Sequence, residues 1–135
     1  MSRPSNRFTA AWLAAFLLLP ACAGDRTPAA PSNRPPGVPQ NPIPIDGASI
    51  PDTCACVLYL SWEAGDPDPG DSLSFDVHLG TANPPPLAAE NRPQRYFIPT
   101  LPDSGATYYW YIVAKDQAGA ETTGPVWRFS ITSGP

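Results

Sequence analysis

A chain of 135 residues has room for one domain plus processed or linking segments, and a hydrophobic content of 42% is enough to build a core. Twenty prolines beside one Met and one Lys exclude long helices, because an interior Pro removes a helix hydrogen bond and clashes with the preceding turn. Removing Arg3 and Arg7 with the segment ahead of Cys22 takes the formal charge from −4 to −6, which makes nucleic acid an unexpected partner: neutralising phosphates requires clustered Lys and Arg.

Residues 1–21 have the layout of a secretory signal, with Arg3 and Arg7 followed by an apolar run over 10–19 and then Pro20-Ala21-Cys22. The run is shorter than the roughly 20 apolar residues that span a bilayer. Leu19-Pro20-Ala21-Cys22 resembles a bacterial lipobox, in which a Leu three places before the Cys and a small residue just before it suit the lipoprotein signal peptidase. That resemblance implies a diacylglyceryl thioether on Cys22, which becomes the mature N-terminus, and Ala23 after it implies the outer membrane of a bacterial cell envelope. The rival is ordinary cleavage at Ala21-Cys22-Ala23, which releases a soluble periplasmic or secreted protein. Residues 22–41 then read as a tether: Pro28, Pro31, Pro35, Pro36 and Pro39 favour extended polyproline II, and almost nothing there can anchor a core.

The folded part is expected over 42–133. Residues 41–47, Asn-Pro-Ile-Pro-Ile-Asp-Gly, give a short Pro-broken edge segment and a turn. Over 57–62, Leu58, Leu60 and Trp62 share one face and Tyr59 and Ser61 the other. Leu73, Phe75, Val77 and Leu79 repeat the pattern against Ser74, Asp76 and His78. Asn83-Pro84-Pro85-Pro86 forbids regular ladder pairing, and a short strand follows over 96–98. Over 107–116, Tyr108, Trp110, Ile112 and Ala114 alternate with Tyr109, Tyr111 and Val113, which suits a central strand. The last strand, 126–131, turns Trp127, Phe129 and Ile131 inward and Arg128 and Ser130 outward. Short strands divided by turn signals about every dozen residues predict an all-β sandwich.

Leu101-Pro102-Asp103-Ser104-Gly105-Ala106-Thr107-Tyr108 resembles the tyrosine corner of fibronectin type III domains, where the phenol bonds back to the backbone upstream. Leu60-Ser61-Trp62 resembles the second strand of that fold with its core Trp, Phe75-Asp76-Val77 the third, and Gly124-Pro125-Val126-Trp127-Arg128-Phe129 the last. Asp66-Pro67-Asp68, Leu79-Gly80-Thr81, Pro85-Pro86-Leu87, Tyr108-Tyr109-Trp110 and Ala114-Lys115-Asp116 resemble type III-like modules of bacterial surface proteins and multidomain secreted enzymes. The resemblance covers 41–133 and implies an immunoglobulin-like two-sheet sandwich of about seven strands. It speaks to fold far more than to function, since this scaffold carries many unrelated roles. Two departures stand out: Ile50-Pro51-Asp52-Thr53-Cys54-Ala55-Cys56 replaces a short turn, and Tyr111 sits where such modules often carry Arg or another polar residue.

No catalytic constellation accompanies His78, the single His, so an enzyme is not expected. Cys54 and Cys56 are the thiols left once Cys22 is used. They form a small-loop disulfide or remain two free thiols; on a regular strand their separation lies near the upper end of the roughly 4.4 to 6.8 Å that a disulfide tolerates. Two thiolates alone fall short of a closed metal site. Asp66, Asp68 and Asp71 lie in one loop, and in a type III sandwich Asp116 begins the loop at the same pole; four converging carboxylates suit Ca²⁺, while Asp-Pro-Asp-Pro-Gly-Asp is also good turn chemistry. No other cofactor is expected. Tyr109 and Tyr111 should share a solvent face with Asp76, His78 and Arg128, as an aromatic surface for a sugar ring or a protein, or as ordinary cross-strand pairs. The sequence thus predicts a lipid-anchored, non-catalytic envelope protein that presents one domain for protein binding or scaffolding, with a carbohydrate-binding module or an accessory domain of a larger secreted or envelope system as alternatives.

Overall fold

A computed structural model describes residues 29–52, 57–100 and 104–133. The chain from Pro31 onward forms one compact unit. In chain order its strands are β1 (Gln40–Ile43), β2 (Ala48–Pro51), β3 (Leu60–Glu63), β4 (Ser74–Gly80), β5 (Leu87–Arg92), β6 (Tyr96–Phe97), β7 (Thr107–Lys115), β8 (Glu121–Thr123) and β9 (Trp127–Thr132). No helix occurs among the described residues.

The fold is all-β and built from two sheets, one ordered β1-β3-β6 and the other β2-β9-β7-β4-β5, with β8 paired to the end of β7. β7 is the axis of the larger sheet because its period-two pattern is the longest and least interrupted in the chain. Every second residue of it, Tyr108, Trp110, Ile112 and Ala114, is buried. It runs antiparallel to β4 from Ser74↔Lys115 to Gly80↔Tyr109, and antiparallel to β9 from Trp110↔Trp127 to Thr107↔Ser130.

The core lies between the sheets. Leu60 and Trp62 enter it from β3; Phe75 and Val77 come from β4, and Trp127 and Phe129 from β9, to meet the inward set of β7. These are the residues that the alternation assigned inward. Trp62 meets Phe75 edge-on across the core with ring centroids 5.5 Å apart, and Trp110 packs against Trp127 at 4.7 Å. Each such side chain contributes about 1.5 to 3 kcal/mol by leaving water, which makes this cluster the main stabilising element. Tyr108 stacks on Phe129 at 5.4 Å, and its hydroxyl has no hydrogen-bond partner among the described residues. Leu101, Pro102 and Asp103, on the upstream side of the expected tyrosine corner, lie outside them.

Nine strands lie among the described residues, where about seven were expected. The first strand is shared between the sheets. β1 pairs with β3; the chain then turns at 44–47 and β2 runs parallel to β9, from Ala48↔Phe129 to Pro51↔Thr132. The turn is pinned to β9, since Gly47 N–H donates to the Arg128 carbonyl at 2.7 Å and Arg128 N–H donates to Asp46 Oδ1 at 2.9 Å. β5 follows directly on the proline run. Pro cannot donate to a ladder but can accept, and Pro86 carbonyl takes the Leu79 N–H at 2.9 Å, which starts the β4–β5 hairpin. Gly80 permits this close approach, because a Cβ there would stand 2.7 Å from Pro86 Cδ.

The compact unit begins at Pro31, ahead of the expected boundary at 42. Pro36 and Pro39 are buried, Gly37 N–H donates to Gly65 carbonyl at 2.8 Å, and Thr122 hydroxyl donates to Pro36 carbonyl at 2.6 Å. This segment is a strap on the sandwich. Proline rings carry apolar surface at little conformational cost, so the residues that suit a spacer also suit an extended strap. The earlier part of the expected tether, 22–28, lies outside the described residues, as do Cys22, Cys54 and Cys56.

Candidate functional site

Two groups of side chains were singled out by the sequence, one at the end of the sandwich and one on a sheet face. The first is brought together by a single rung. Ser74 pairs with Lys115, so the loop that ends before β4 and the loop that begins after β7 must meet at one pole. Asp66, Asp71 and Asp116 converge there, each offering a carboxylate oxygen within 4.8 Å of the others.

Asp116 is only 7% exposed. Its Oδ2 accepts from Asn33 Nδ2 at 2.7 Å and its Oδ1 from Ala120 N–H at 2.8 Å, which closes the turn between β7 and β8. The Asn33 hydrogen bond, helped by backbone N–H groups of the turn and opposed by burial, holds its carboxyl below the usual carboxylate value. Asp66 Oδ1 accepts the Asp68 N–H at 2.7 Å, whereas its Oδ2 is buried with no hydrogen-bond partner among the described residues. Asp71 is pushed the other way: burial raises its pKa, and the negative charges of Asp66, Asp68 and Asp116 add to the effect.

Asp68 does not join this set, which corrects the expected four. It turns to Arg34, whose backbone N–H reaches Oδ2 at 2.6 Å and whose Nε reaches Oδ1 at 2.8 Å, and these bonds lower its pKa. Arg34 also bonds to the Pro67 carbonyl through its Nη2. Sequence reasoning missed Asn33 and Arg34 because it placed them in the tether. Nothing local marks them, since their partners are 83 and 34 residues away.

The second group lies on the outward face of the larger sheet. His78 stands opposite Tyr111 and Tyr109 opposite Arg128. His78 and Tyr111 stack with ring centroids 4.2 Å apart and planes 10° from parallel. Asp76 shares the face but is occupied: Lys115 Nζ lies 2.5 Å from its Oδ2, and Asn91 N–H donates to its Oδ1 at 2.9 Å. Burial raises its pKa, but the hydrogen bonds from Lys115 and Asn91 and the charges of Lys115 and His78 outweigh that and leave it lowered. All five expected residues are therefore neighbours on one face, and Tyr109, Tyr111, His78 and Arg128 are the ones whose side chains have no ion-pair partner among the described residues.

No protein-family model matches the chain, and no curated protein sequence matches it. What the chain can do is therefore argued from these two groups. One gathers negative charge at a sandwich pole, and the other presents flat aromatic area beside a guanidinium.

Proposed function

We propose that this is a lipid-anchored protein of a bacterial cell envelope whose single sandwich, of the fibronectin type III kind, binds or scaffolds another envelope protein without catalysing a reaction. The observation that carries this reading is the outward face of β7. Tyr109 and Tyr111 stand on the strand between β4 and β9, so they occupy the middle of a sheet and not its rim. Tyr111 is backed by His78, and Tyr109 is paired across the strands with Arg128. Tyr and Arg are both enriched at protein interfaces: Tyr offers large, rigid contact area with a polar tip at small entropic cost, and Arg a planar guanidinium with several hydrogen-bond donors.

The type III assignment is supported by the core Trp on β3, by the order β9-β7-β4 with β7 central, and by the Tyr that opens the penultimate long strand. The parallel pairing of β2 with β9 is a local departure that leaves this order intact. The envelope assignment is supported by the lipobox-like Leu19-Pro20-Ala21-Cys22 alone.

The test is capture from the native envelope, then identification of the captured protein and its purified affinity. Tyr109→Ser with Tyr111→Ser should leave cooperative unfolding intact while weakening the complex at least about tenfold, equivalent to about 1.4 kcal/mol. Equal affinity in the folded double variant would overturn this face as the contact. Glycan-array binding that disappears in Tyr109→Ala would replace the protein partner with a sugar.

A further inference from the structure

We propose that the open groove between β1 and the start of β9 receives an extended protein segment that presents one aliphatic side chain between two cationic ones. Pro42, Ile43, Ile45, Pro125 and Val126 line this groove together with the otherwise buried Trp127. Its volume is about 570 Å³, within the roughly 300 to 1,000 Å³ of ligand-binding clefts. Ile43, Ile45 and Val126 are large apolar side chains left in water, Ile45 at 71% exposure. Scattered singly, such residues are ordinary surface; three that share one concave lining form a contiguous patch of the kind that marks an interaction site.

Charge selects the occupant. Asp46 and Glu63 also line the groove, and no Lys or Arg does. Both carboxylates are positioned by neutral donors: the Arg128 backbone N–H donates to Asp46 Oδ1 at 2.9 Å, and Asn41 Nδ2 donates to Glu63 Oε2 at 2.7 Å. No ion pair among the described residues reaches either of them. Each keeps acceptor capacity for a further donor, so the groove offers two negative charges without a counter-charge. A second copy seated groove to groove would set these carboxylates against their own kind, because a two-fold contact matches a patch with itself. An anionic lipid surface is disfavoured by the same repulsion. Cationic side chains are what complete the lining.

The layout also sets the form of the partner. Glu63 is tied to Asn41, and Asp46 lies five residues further along, so these two points are at most about 18 Å apart. Ile43 and Ile45 fall between them in the chain. In an extended segment every second side chain shares a face, so cations at the first and fifth positions stand about 13 Å apart with an aliphatic third between them. Pairing of backbones is not the docking mode, although β1 is an edge strand. Pro42 and Pro44 have no N–H, and the ladder is irregular between Gln40 and Ile43, where Asn41 takes a φ of 53°. Recognition therefore runs through side chains, and an open groove covers too little of a small cation to serve it as well as a chain segment that crosses it. Neither Tyr109 nor Tyr111 lines the groove, so this site and the tyrosine face can fail separately.

The test titrates the isotope-labelled full-length chain with acetyl-Lys-Ser-Leu-Ser-Lys-amide and follows it by NMR. The expected result is saturable shifts at the Ile43, Ile45 and Val126 amides and the Trp127 indole N–H, with at least about tenfold tighter binding than when both Lys are Glu or Leu is Ser. Asp46→Asn with Glu63→Gln keeps both accepting oxygens and should weaken the peptide at least about fivefold, as should Ile45→Ser, with melting within about 3 °C of the parent. No saturable shift at about 10 mM peptide, equal affinity for either control peptide, or unchanged affinity in the folded charge variant would overturn the site. Saturation by butylamine at the same affinity would overturn the segment in favour of a small cation. Concentration-dependent dimerisation abolished by Ile45→Ser would overturn it in favour of a second copy.

Discussion

Trp110 has no exposed surface and stands on the central strand of the larger sheet, packed against Trp127, while Trp62, at 3% exposure, meets Phe75 from the other sheet. Replacing either by Ala leaves a cavity the size of an indole, so each substitution should cost about 3 to 5 kcal/mol in denaturant unfolding. That is a large share of the roughly 5 to 15 kcal/mol of an ordinary domain. Neither indole N–H has an acceptor among the described residues. Trp→Phe at these positions should therefore be much milder than Trp→Ala, since it removes an unpaired donor along with part of the ring. A loss below about 1 kcal/mol in both alanine variants would show that these rings do not hold the sheets together. Charge at residue scale centres on Asp76 and Lys115. The Asp76 carboxyl titrates below its ordinary 3.8, so the stability it contributes is present above that value and is lost as pH falls through its folded pKa. The Lys115 ammonium, held chiefly by its bond to Asp76, titrates above its ordinary 10.5, so its contribution is present below that value and is lost as pH rises through its folded pKa. Lys115→Met should flatten the alkaline fall in stability and reduce the acid one, at a cost of about 1 kcal/mol or less near neutrality. An unchanged pH profile in that variant would rule the pair out as a stabilising element.

Among the elements, the strap has the clearest consequence. Gly124 lies under Pro39, and a Cβ there would come 3.1 Å from Pro39 Cβ and 3.2 Å from the Ile112 carbonyl. Gly124→Ala should therefore lift the strap or strain β7, costing about 1 to 3 kcal/mol, with faster proteolysis within 31–40 as the local sign. If the strap contributed nothing, the same change would be neutral or stabilising by up to about 1 kcal/mol through a stiffer unfolded chain. The strands that could be read most clearly in the sequence are those whose apolar residues alternate, β3, β4, β7 and β9, because burial of one face imposes that pattern; the short β1 and β6 could be read from their place beside turn signals. β2, β5 and β8 could not, for Ala-Ser-Ile-Pro, Leu-Ala-Ala-Glu-Asn-Arg and Glu-Thr-Thr sit at edges where little is buried and backbone pairing alone defines the strand. The strap was hidden for another reason: its contacts are to residues far along the chain, and its composition matches a solvated linker. The same non-locality decided the acidic pole. The topology brought together Asp66, Asp71 and Asp116 as the loop order implied, but Asp68 was drawn away by Arg34, a residue of the strap.

Over the whole molecule, the charge of −6 on the chain from Cys22 onward gives no electrostatic attraction to an anionic membrane surface, so retention there must come from a covalent anchor or a partner. Cys22 is the residue that decides between them. If the lipobox-like Leu19-Pro20-Ala21-Cys22 is processed as it resembles, the mature chain begins at a diacylglyceryl-modified Cys22; if Ala21-Cys22-Ala23 is cleaved as an ordinary signal, the chain begins at Gly24 with no lipid. One acyl chain binds a bilayer only marginally, whereas two or more hold stably, so the lipidated form should stay with membranes through high-salt washing. Cys22→Ser should abolish acyl labelling and move the folded domain to the soluble fraction. The double variant of Tyr109 and Tyr111 should remain membrane-bound, because the contact face and the anchor are separate parts of the chain. Mass spectrometry of the purified N-terminus provides the deciding measurement. A mature chain starting at Gly24, or undiminished membrane retention of Cys22→Ser with no acyl label on the parent, would sink the anchor.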